Sequence, residues 1–244
     1  MNYFLLCAYN ESKNITEVIK SIKENFKHEN KIVIVNDGSS DDTEIQIRKC
    51  LQKYKDIILL THKKNLGLGK ALKTGFMFIL KSRMKDEDTI ITLDADNTHP
   101  VEIANLMMEK FLMGYDLVIA SRFVKNAKQQ GVPFFRKLLS LMARFIFKYF
   151  FYHPLVKDYT SGYRLYGGKI LNRAYAYYRE NLIKEKDFVV QLEILIKLLK
   201  FKPKVYEVPI DIKYFLKYGK SKLKIVKNII SYLNFIITYF AKNL

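Results

Sequence analysis

The chain has 244 residues and 28.8 kDa, a length that suits one α/β domain with a full core and hardly two. Hydrophobic residues at 49% and aromatics at 14% exclude a disordered, collagen-like or low-complexity chain, while two cysteines, Cys7 and Cys50, without a second Cys or His at ligand spacing, exclude a disulfide scaffold and a thiolate zinc site. With 42 Lys and Arg against 24 Asp and Glu the formal charge is +18, which calls for nucleic acid, an anionic membrane surface or phosphorylated small molecules as partner, unless biased composition and ordinary solvated charge account for the excess.

The amino terminus runs from Met1 through an apolar stretch to Asn10-Glu11 without a basic leader region, so it is expected to be a strand, and the protein to stay on the cytoplasmic side. Short apolar runs at 2 to 8, 31 to 36, 56 to 61, 88 to 93 and 115 to 120 read as strands. Between them, 12 to 27, 41 to 54, 67 to 84 and 100 to 112 have the helical period. Such alternation predicts a parallel sheet with helices on both faces. Ligands of these sheets bind beyond the carboxyl ends of the strands, where Asn10-Glu11, Asp37-Gly38-Ser39 and Asp94-Ala95-Asp96 fall. After residue 120 the alternation stops. An aromatic-rich helix is expected over 133 to 152, another over 185 to 200, a strand near 204 to 212, and a Lys-led apolar tail from 220.

Asp94 and Asp96 end a strand that has just been apolar, and two carboxylates there are costly unless something positive meets them. A hard divalent cation holding a nucleotide diphosphate fits; two aspartates capping the next helix are the competing reading. Asp37 ends a central strand, where it is placed to accept hydrogen bonds from a base or ribose, although its segment needs no role beyond a turn and helix cap. Gly67-Leu68-Gly69-Lys70 opens a helix and can set backbone N–H groups and a Lys near phosphate, a weak signal alone.

In order along the chain stand Ala8-Tyr9-Asn10-Glu11, Asn36-Asp37-Gly38-Ser39, Gly67-Leu68-Gly69-Lys70-Ala71, Asp94-Ala95-Asp96 with His99-Pro100, Ala120-Ser121-Arg122-Phe123, Thr160-Ser161-Gly162-Tyr163-Arg164 and Gly219-Lys220-Ser221-Lys222-Leu223. The set resembles the family-2 glycosyltransferases of GT-A fold over essentially the whole chain. Within them it is similar to the dolichol-phosphate mannose synthase-like branch, which glycosylates polyprenyl phosphates. The resemblance implies a GT-A (Rossmann-like) α/β domain over 1 to 215, with a mostly parallel sheet, and an amphipathic membrane-interface segment over 216 to 244. It also implies a nucleotide-diphosphate sugar donor (GDP-mannose or UDP-glucose), a Mg²⁺ or Mn²⁺ ion, and inversion at the anomeric carbon. Ala8, Tyr9, Asn10, Glu11, Asp37, Gly67 and Lys70 then belong to the donor site. Asp94, Ala95 and Asp96 belong to the metal-diphosphate site, with Asp96 and Arg122 acting in catalysis. Thr98 stands where this branch often carries a Gln, so the third metal ligand is Thr98 or a water. Arg122, Arg136, Ser140, Lys220 and Lys222 match the acceptor-phosphate site.

Arg136, Ser140, Arg144 and Lys148 recur every four residues in a helix otherwise made of Leu, Met, Phe, Ile and Tyr, which puts them on one stripe. The apolar remainder suits a lipid boundary, or equally a core helix with snorkelling cations. The uncharged run of the tail, 228 to 241, falls short of the roughly 20 apolar residues that span a bilayer. With its preceding lysines it reads as an interfacial anchor at the cytoplasmic membrane face, or as a helix packed on the domain or a subunit contact. A phosphate monoester acceptor, with second pKa about 6, is already mostly dianionic at neutral pH and needs no general base. A related transferase using a saccharide or other hydroxyl would need one, and Asp158 or His99 are its candidates, against a loop-stabilising Asp and a turn His. The chain carries no Trp, whereas polysaccharide-synthesising relatives carry Gln-x-x-Arg-Trp near the position of Gln191. Arg-rich recognition helices and the aromatic strand motifs of RNA modules are also missing, so no nucleic-acid partner is expected.

Overall fold

The structure, a computed structural model, describes residues 1–216 and 225–241. The first half alternates as its periodicity predicts: β1 (Asn2–Ala8), α1 (Ile15–Asn25), β2 (Asn30–Asn36), α2 (Thr43–Lys53), β3 (Ile57–Thr61), α3 (Leu68–Lys81), β4 (Thr89–Asp94), α4 (Glu102–Leu112) and β5 (Leu117–Ser121). Then come β6 (Lys128–Gln130), α5 (Phe134–Phe150), β7 (Arg164–Gly167), α6 (Gly168–Tyr178), α7 (Val190–Leu199), β8 (Val205–Pro209), β9 (Asp211–Lys213) and α8 (Ile225–Ala241). Seven strands form one sheet in the order β3-β2-β1-β4-β7-β5-β8, and β6 pairs with β9. All neighbours in the large sheet are parallel except β7, which runs antiparallel between β4 and β5.

The period of two in β1 explains the two layers of core. Phe4, Leu6 and Ala8 face the side covered by α1, α2 and α4, through Ile15, Ile19, Ile47 and Met107. Leu5 faces the other side, covered by α3, α6 and α7 through Leu72, Phe76, Leu171 and Leu195. From β1 the chain winds to β2 and β3 on one side and then returns to β4 on the other. The loops leaving β1 and β4 therefore diverge, and a crevice opens where Cys7 stands opposite Asp94 and Ala8 opposite Asn36.

β7 and α6 were not foreseen, because RLYG is a four-residue strand that opens on an arginine and carries neither alternation nor length. The tail helix α8 is no detached appendage. Ile236 is buried with the main core, and Tyr232, Phe235 and Tyr239 pack against it. The Tyr232 ring lies tilted 4.9 Å from Phe147, and Tyr239 meets Phe151 edge-on at 5.1 Å. Its outer face, with Val226, Ile229, Ile230, Leu233 and Ile237, is exposed. On α5 only Phe147 is buried, while Phe134 is 81% exposed and Phe135, Met142, Phe145 and Tyr149 are also open. No helix among the described residues is long and apolar enough to cross a membrane.

Candidate active site

The carboxyl end of β4 turns sharply. Asn97 has φ +62°, a left-handed conformation that Asn tolerates better than most residues. Asp96 Oδ1 accepts hydrogen bonds from the Thr98 N–H at 3.2 Å and the Thr98 hydroxyl at 2.7 Å, so the turn is closed by its own aspartate. Thr98, expected as a metal ligand, thus spends its hydroxyl proton on orienting Asp96. The turn returns His99 to Asp94, with Nδ1 4.0 Å from Asp94 Oδ2. Asp94 is 47% exposed at the crevice and Asp96 8%. Two carboxylates at this spacing are hard oxygen donors that suit Mg²⁺ or Mn²⁺. Among the described residues no three acidic, imidazole or thiolate groups already converge on an ion, so donor phosphate oxygens and water would complete a shell.

The loops after β1 and β2 are laced together. The Asn10 N–H donates to Ser39 Oγ (3.0 Å), the Ser40 N–H to Asn10 Oδ1 (2.8 Å), the Glu11 N–H to Thr43 Oγ1 (2.7 Å) and the Asp37 N–H to the Ala8 carbonyl (2.8 Å). Asp37 is buried. It accepts from the N–H groups of Leu66 (3.0 Å) and Gly67 (2.8 Å) and lies 2.6 Å from His62 Nδ1; the far ring nitrogen of His62 meets Thr74 Oγ1 at 2.9 Å. The carboxylate expected at the base or ribose therefore also latches the glycine loop to the end of β2. His62 was invisible in the sequence because a lone His after a strand carries no pattern. Gly67 has φ +92°, and a Cβ on Gly69 would stand 1.9 Å from the Glu185 carbonyl. Both positions require glycine, since the 185–186 segment lies directly over the start of α3, with the Gly69 N–H donating to the Lys186 carbonyl at 2.7 Å. Lys70 follows in the first turn of α3, half-buried. Glu193 holds that segment by accepting from the Lys184 and Glu185 N–H groups at 2.9 Å and pairing with Lys197. Burial, reinforced by Asp37 and Asp94, pushes the Cys7 thiol up, which leaves it neutral and unsuited to nucleophilic work.

At the end of β5, Arg122 is engaged rather than free. Its Nε donates to Asp158 Oδ2 (2.8 Å), Nη2 to Asp158 Oδ1 and Thr160 Oγ1 (both 2.6 Å), and Nη1 to Ser140 Oγ (3.0 Å). Asp158 is 0% exposed and also accepts from the Thr160 and Ser161 N–H groups. Burial would raise this carboxyl, but the Arg122 guanidinium outweighs it and holds it below the usual range. Burial likewise opposes the Arg122 charge, and Asp158 overcomes it. Arg122, matched in sequence to the acceptor-phosphate site, stands in a fork-to-fork pair with Asp158 that neutralises much of its charge. Asp158 takes the loop-stabilising role. The pair nevertheless seats Ser140, and Arg136 lies on the same helix one turn earlier, half-buried with its guanidinium 5.5 Å from the centre of the Tyr214 ring. Arg144 covers Phe123 at 4.9 Å. From α8, Tyr232 reaches the same cluster. Burial raises its hydroxyl to about 12, against the opposing pull of Arg122 and Arg164. Lys220 and Lys222 lie outside the described residues.

The loop before β7 joins the two halves of the site. A Cβ on Gly162 would lie 3.0 Å from Gln191 Nε2 and 3.8 Å from Asp94 Oδ1, so this backbone runs directly against the acidic strand end. Arg164, fully buried, holds it by donating to the carbonyls of Gln191 (2.6 Å) and Tyr159 (2.8 Å). Neither Arg164 nor Tyr232 was assigned a role from sequence, because an arginine inside a four-residue strand and a tyrosine in an aromatic tail look ordinary.

The model of the family described as glycosyl transferase family 2 matches residues 3–177. An uncharacterized protein of Methanocaldococcus jannaschii, MJ1222, is 30% identical over 214 residues, 87% of this chain and 81% of that protein. A dolichol-phosphate mannosyltransferase of Pyrococcus furiosus is 32% identical over 137 residues, 56% of this chain but only 37% of that enzyme. Among solved structures, glucosyl-3-phosphoglycerate synthase of Mycobacterium tuberculosis in complex with Mn²⁺ and UDP-glucose superimposes with a TM-score of 0.67 at 17% identity, covering 96% of this chain and 77% of that one. At that identity the likeness speaks for the fold, a mostly parallel sheet flanked by helices.

Proposed function

Because the chain belongs to glycosyl transferase family 2, we propose that this glycosyltransferase moves a hexose, mannose or glucose, from a nucleotide diphosphate onto a polyprenyl phosphate at the cytoplasmic face of a membrane, with inversion. One observation carries the acceptor reading: Arg136 and Ser140 stand on the inward stripe of α5 beside the Arg122–Asp158 pair, while the rest of that helix presents exposed aromatic and aliphatic side chains. A headgroup that is phosphate at one end and hydrocarbon at the other matches such a stripe in both chemistries.

In this reading the crevice at β1 and β4 takes the nucleotide, with the latched loops of Asn10, Asp37 and Gly67 as its rim and Lys70 at the start of α3 near phosphate. Asp94 and Asp96 hold the divalent ion, which when bound neutralises charge developing on the departing diphosphate. Thr98 keeps Asp96 oriented toward it. The acceptor phosphate, already dianionic, attacks the anomeric carbon from the opposite face without a protein base, through an oxocarbenium-like transition state. Asp158 is unsuited to act as one, since its carboxylate is held low and fully hydrogen-bonded. Ser140, supported by Arg122, and Arg136 orient the nucleophile.

Arg136→Ala is expected to raise the KM for polyprenyl phosphate about tenfold or more, the loss of one charge-assisted contact, with donor KM little changed. A defect confined to the donor would show that α5 serves the other substrate. Phe134→Glu with Phe145→Glu should abolish flotation with anionic liposomes while leaving the unfolding temperature within a few degrees, both side chains being exposed. Undiminished flotation would remove α5 from the membrane contact. The reaction itself is tested by incubating the protein with labelled GDP-mannose and UDP-glucose, polyprenyl phosphate and Mg²⁺ or Mn²⁺: label should pass into organic solvent from one donor. Label passing only to water-soluble acceptors would replace the lipid by a saccharide or other hydroxyl acceptor.

A further inference from the structure

We propose that Gln191, through its side-chain amide, binds one hydroxyl group of the donor's hexose beside Asp94; the inference rests on the reading above that the crevice at β1 and β4 takes a nucleotide-diphosphate sugar. Gln191 stands in the first turn of α7 and is 5% exposed. Its Oε1 is shut off from solvent and has no hydrogen-bond partner among the described residues. Buried polar atoms are nearly always paired, so an orphaned acceptor at the edge of a binding crevice is a place for a ligand atom. The same side chain lines a small cavity with Cys7, Leu68, Thr92, Asp94 and Gly162, about 10 Å³ in volume, which is room for about one oxygen atom. Asp94 lines this cavity and also opens onto the crevice, so the cavity lies within reach of a molecule held there.

The chemistry of the walls selects the occupant. Gln191 Oε1 and an ionised Asp94 can only accept hydrogen bonds. The Thr92 hydroxyl already donates to the Gly162 carbonyl at 2.7 Å, and the Cys7 thiol, pushed up by burial, is a weak donor. The occupant must therefore bring its own proton, which excludes the ionised oxygens of the diphosphate and suits an alcohol. A hexose carries alcohols on the ring whose bond to the diphosphate breaks. The amide is held for this contact from both sides. Arg164 donates to the Gln191 carbonyl at 2.6 Å, and the Gln191 N–H donates to the Phe188 carbonyl at 3.2 Å. A Cβ on residue 162 would stand 3.0 Å from Gln191 Nε2, so Gly162 leaves the amide its place. Being neutral, the amide does not compete with Asp94 for the ion.

Isothermal titration of the full chain with UDP, GDP, UDP-glucose and GDP-mannose in the presence of Mn²⁺, without acceptor, tests this. Gln191→Leu, close in volume, should bind the sugar nucleotide about three- to tenfold more weakly than wild type and the matching diphosphate equally well. Its unfolding temperature should not fall, since the amide it removes carries an unpaired acceptor. Among monodeoxy analogues of the sugar nucleotide that binds, one should bind wild type and Gln191→Leu alike, which identifies the hydroxyl. Unchanged affinity for both ligands, the result if a water occupies the cavity, overturns the sugar contact and leaves the donor reading intact. An equal loss for diphosphate and sugar nucleotide, the result if Gln191 only supports the fold, does the same. No binding of any of the four nucleotides overturns both. If Gln191→Leu does not fold, Gln191→Met makes the same comparison.

Discussion

Asp96→Ala is expected to lower kcat at saturating donor by about 10²–10³-fold, the loss seen when charge developing on a leaving group is left unanswered, with Asp94→Ala close behind. Asp96 is buried at the end of an apolar strand and is fixed by both the N–H and the hydroxyl of Thr98. Thr98→Ala should cost less than Asp96→Ala because it loosens the carboxylate without removing its charge. Because the effect lies on the departing diphosphate, added donor should not rescue the variants, and direct Mn²⁺ titration should show weakened binding in parallel. Near wild-type rates in Asp96→Ala, or a wild-type rate indifferent to chelator, would remove the ion from the mechanism.

The second large effect is on stability. Removing either member of the Arg122–Asp158 pair leaves the other charge buried and unanswered, and a loss of about 3–5 kcal/mol is expected for Asp158→Ala or Arg122→Ala. The double variant should lose less than the sum of the two. Asp158 also carries two backbone N–H groups of the loop that leads to Gly162, so the damage should reach the acidic strand end. The pH dependence has a definite sign. A carboxyl held below its unfolded value stabilises fully above the ordinary carboxylate range, and that contribution is lost as pH falls through the lowered value. Asp158→Asn should therefore lack part of the wild-type acid transition. Urea unfolding from pH 7 downward measures both effects; single variants within about 0.5 kcal/mol of wild type would place the pair among surface contacts.

What the sequence disclosed of this molecule follows from where its signals are local. β1 to β5 and their helices were legible because each strand is a compact apolar run and each helix an amphipathic repeat. The polar clusters that follow β1, β2 and β4 could be located from the sequence because they stand at the carboxyl ends of strands whose runs are easily recognised. β7 escaped because its pairing is decided by neighbours β4 and β5, not by its own four residues. The pairing of Arg122 escaped for the same reason: Asp158 lies 36 positions away, and a charge looks free until its partner is brought to it. Asp37 gained a latch for a like reason, since His62 and the N–H groups of Leu66 and Gly67 reach it only after β3 is placed. In the tail, lysines followed by an apolar run fit an anchor and a packed helix alike. The ring contacts of Tyr232, Phe235 and Tyr239 with Phe147 and Phe151 give the inner face to the core and leave the outer face exposed.

If the nucleophile is a lipid-borne phosphate, polyprenyl phosphate and the dephosphorylated polyprenol must part company under the same donor and metal. With the labelled donor that supports turnover, the phosphate should give a glycosyl phosphodiester, seen as the conversion of a monoester to a diester resonance by ³¹P NMR, and the alcohol no labelled product. Equal transfer to the alcohol would contradict it, because an unactivated hydroxyl needs a general base and Asp158 is committed to Arg122.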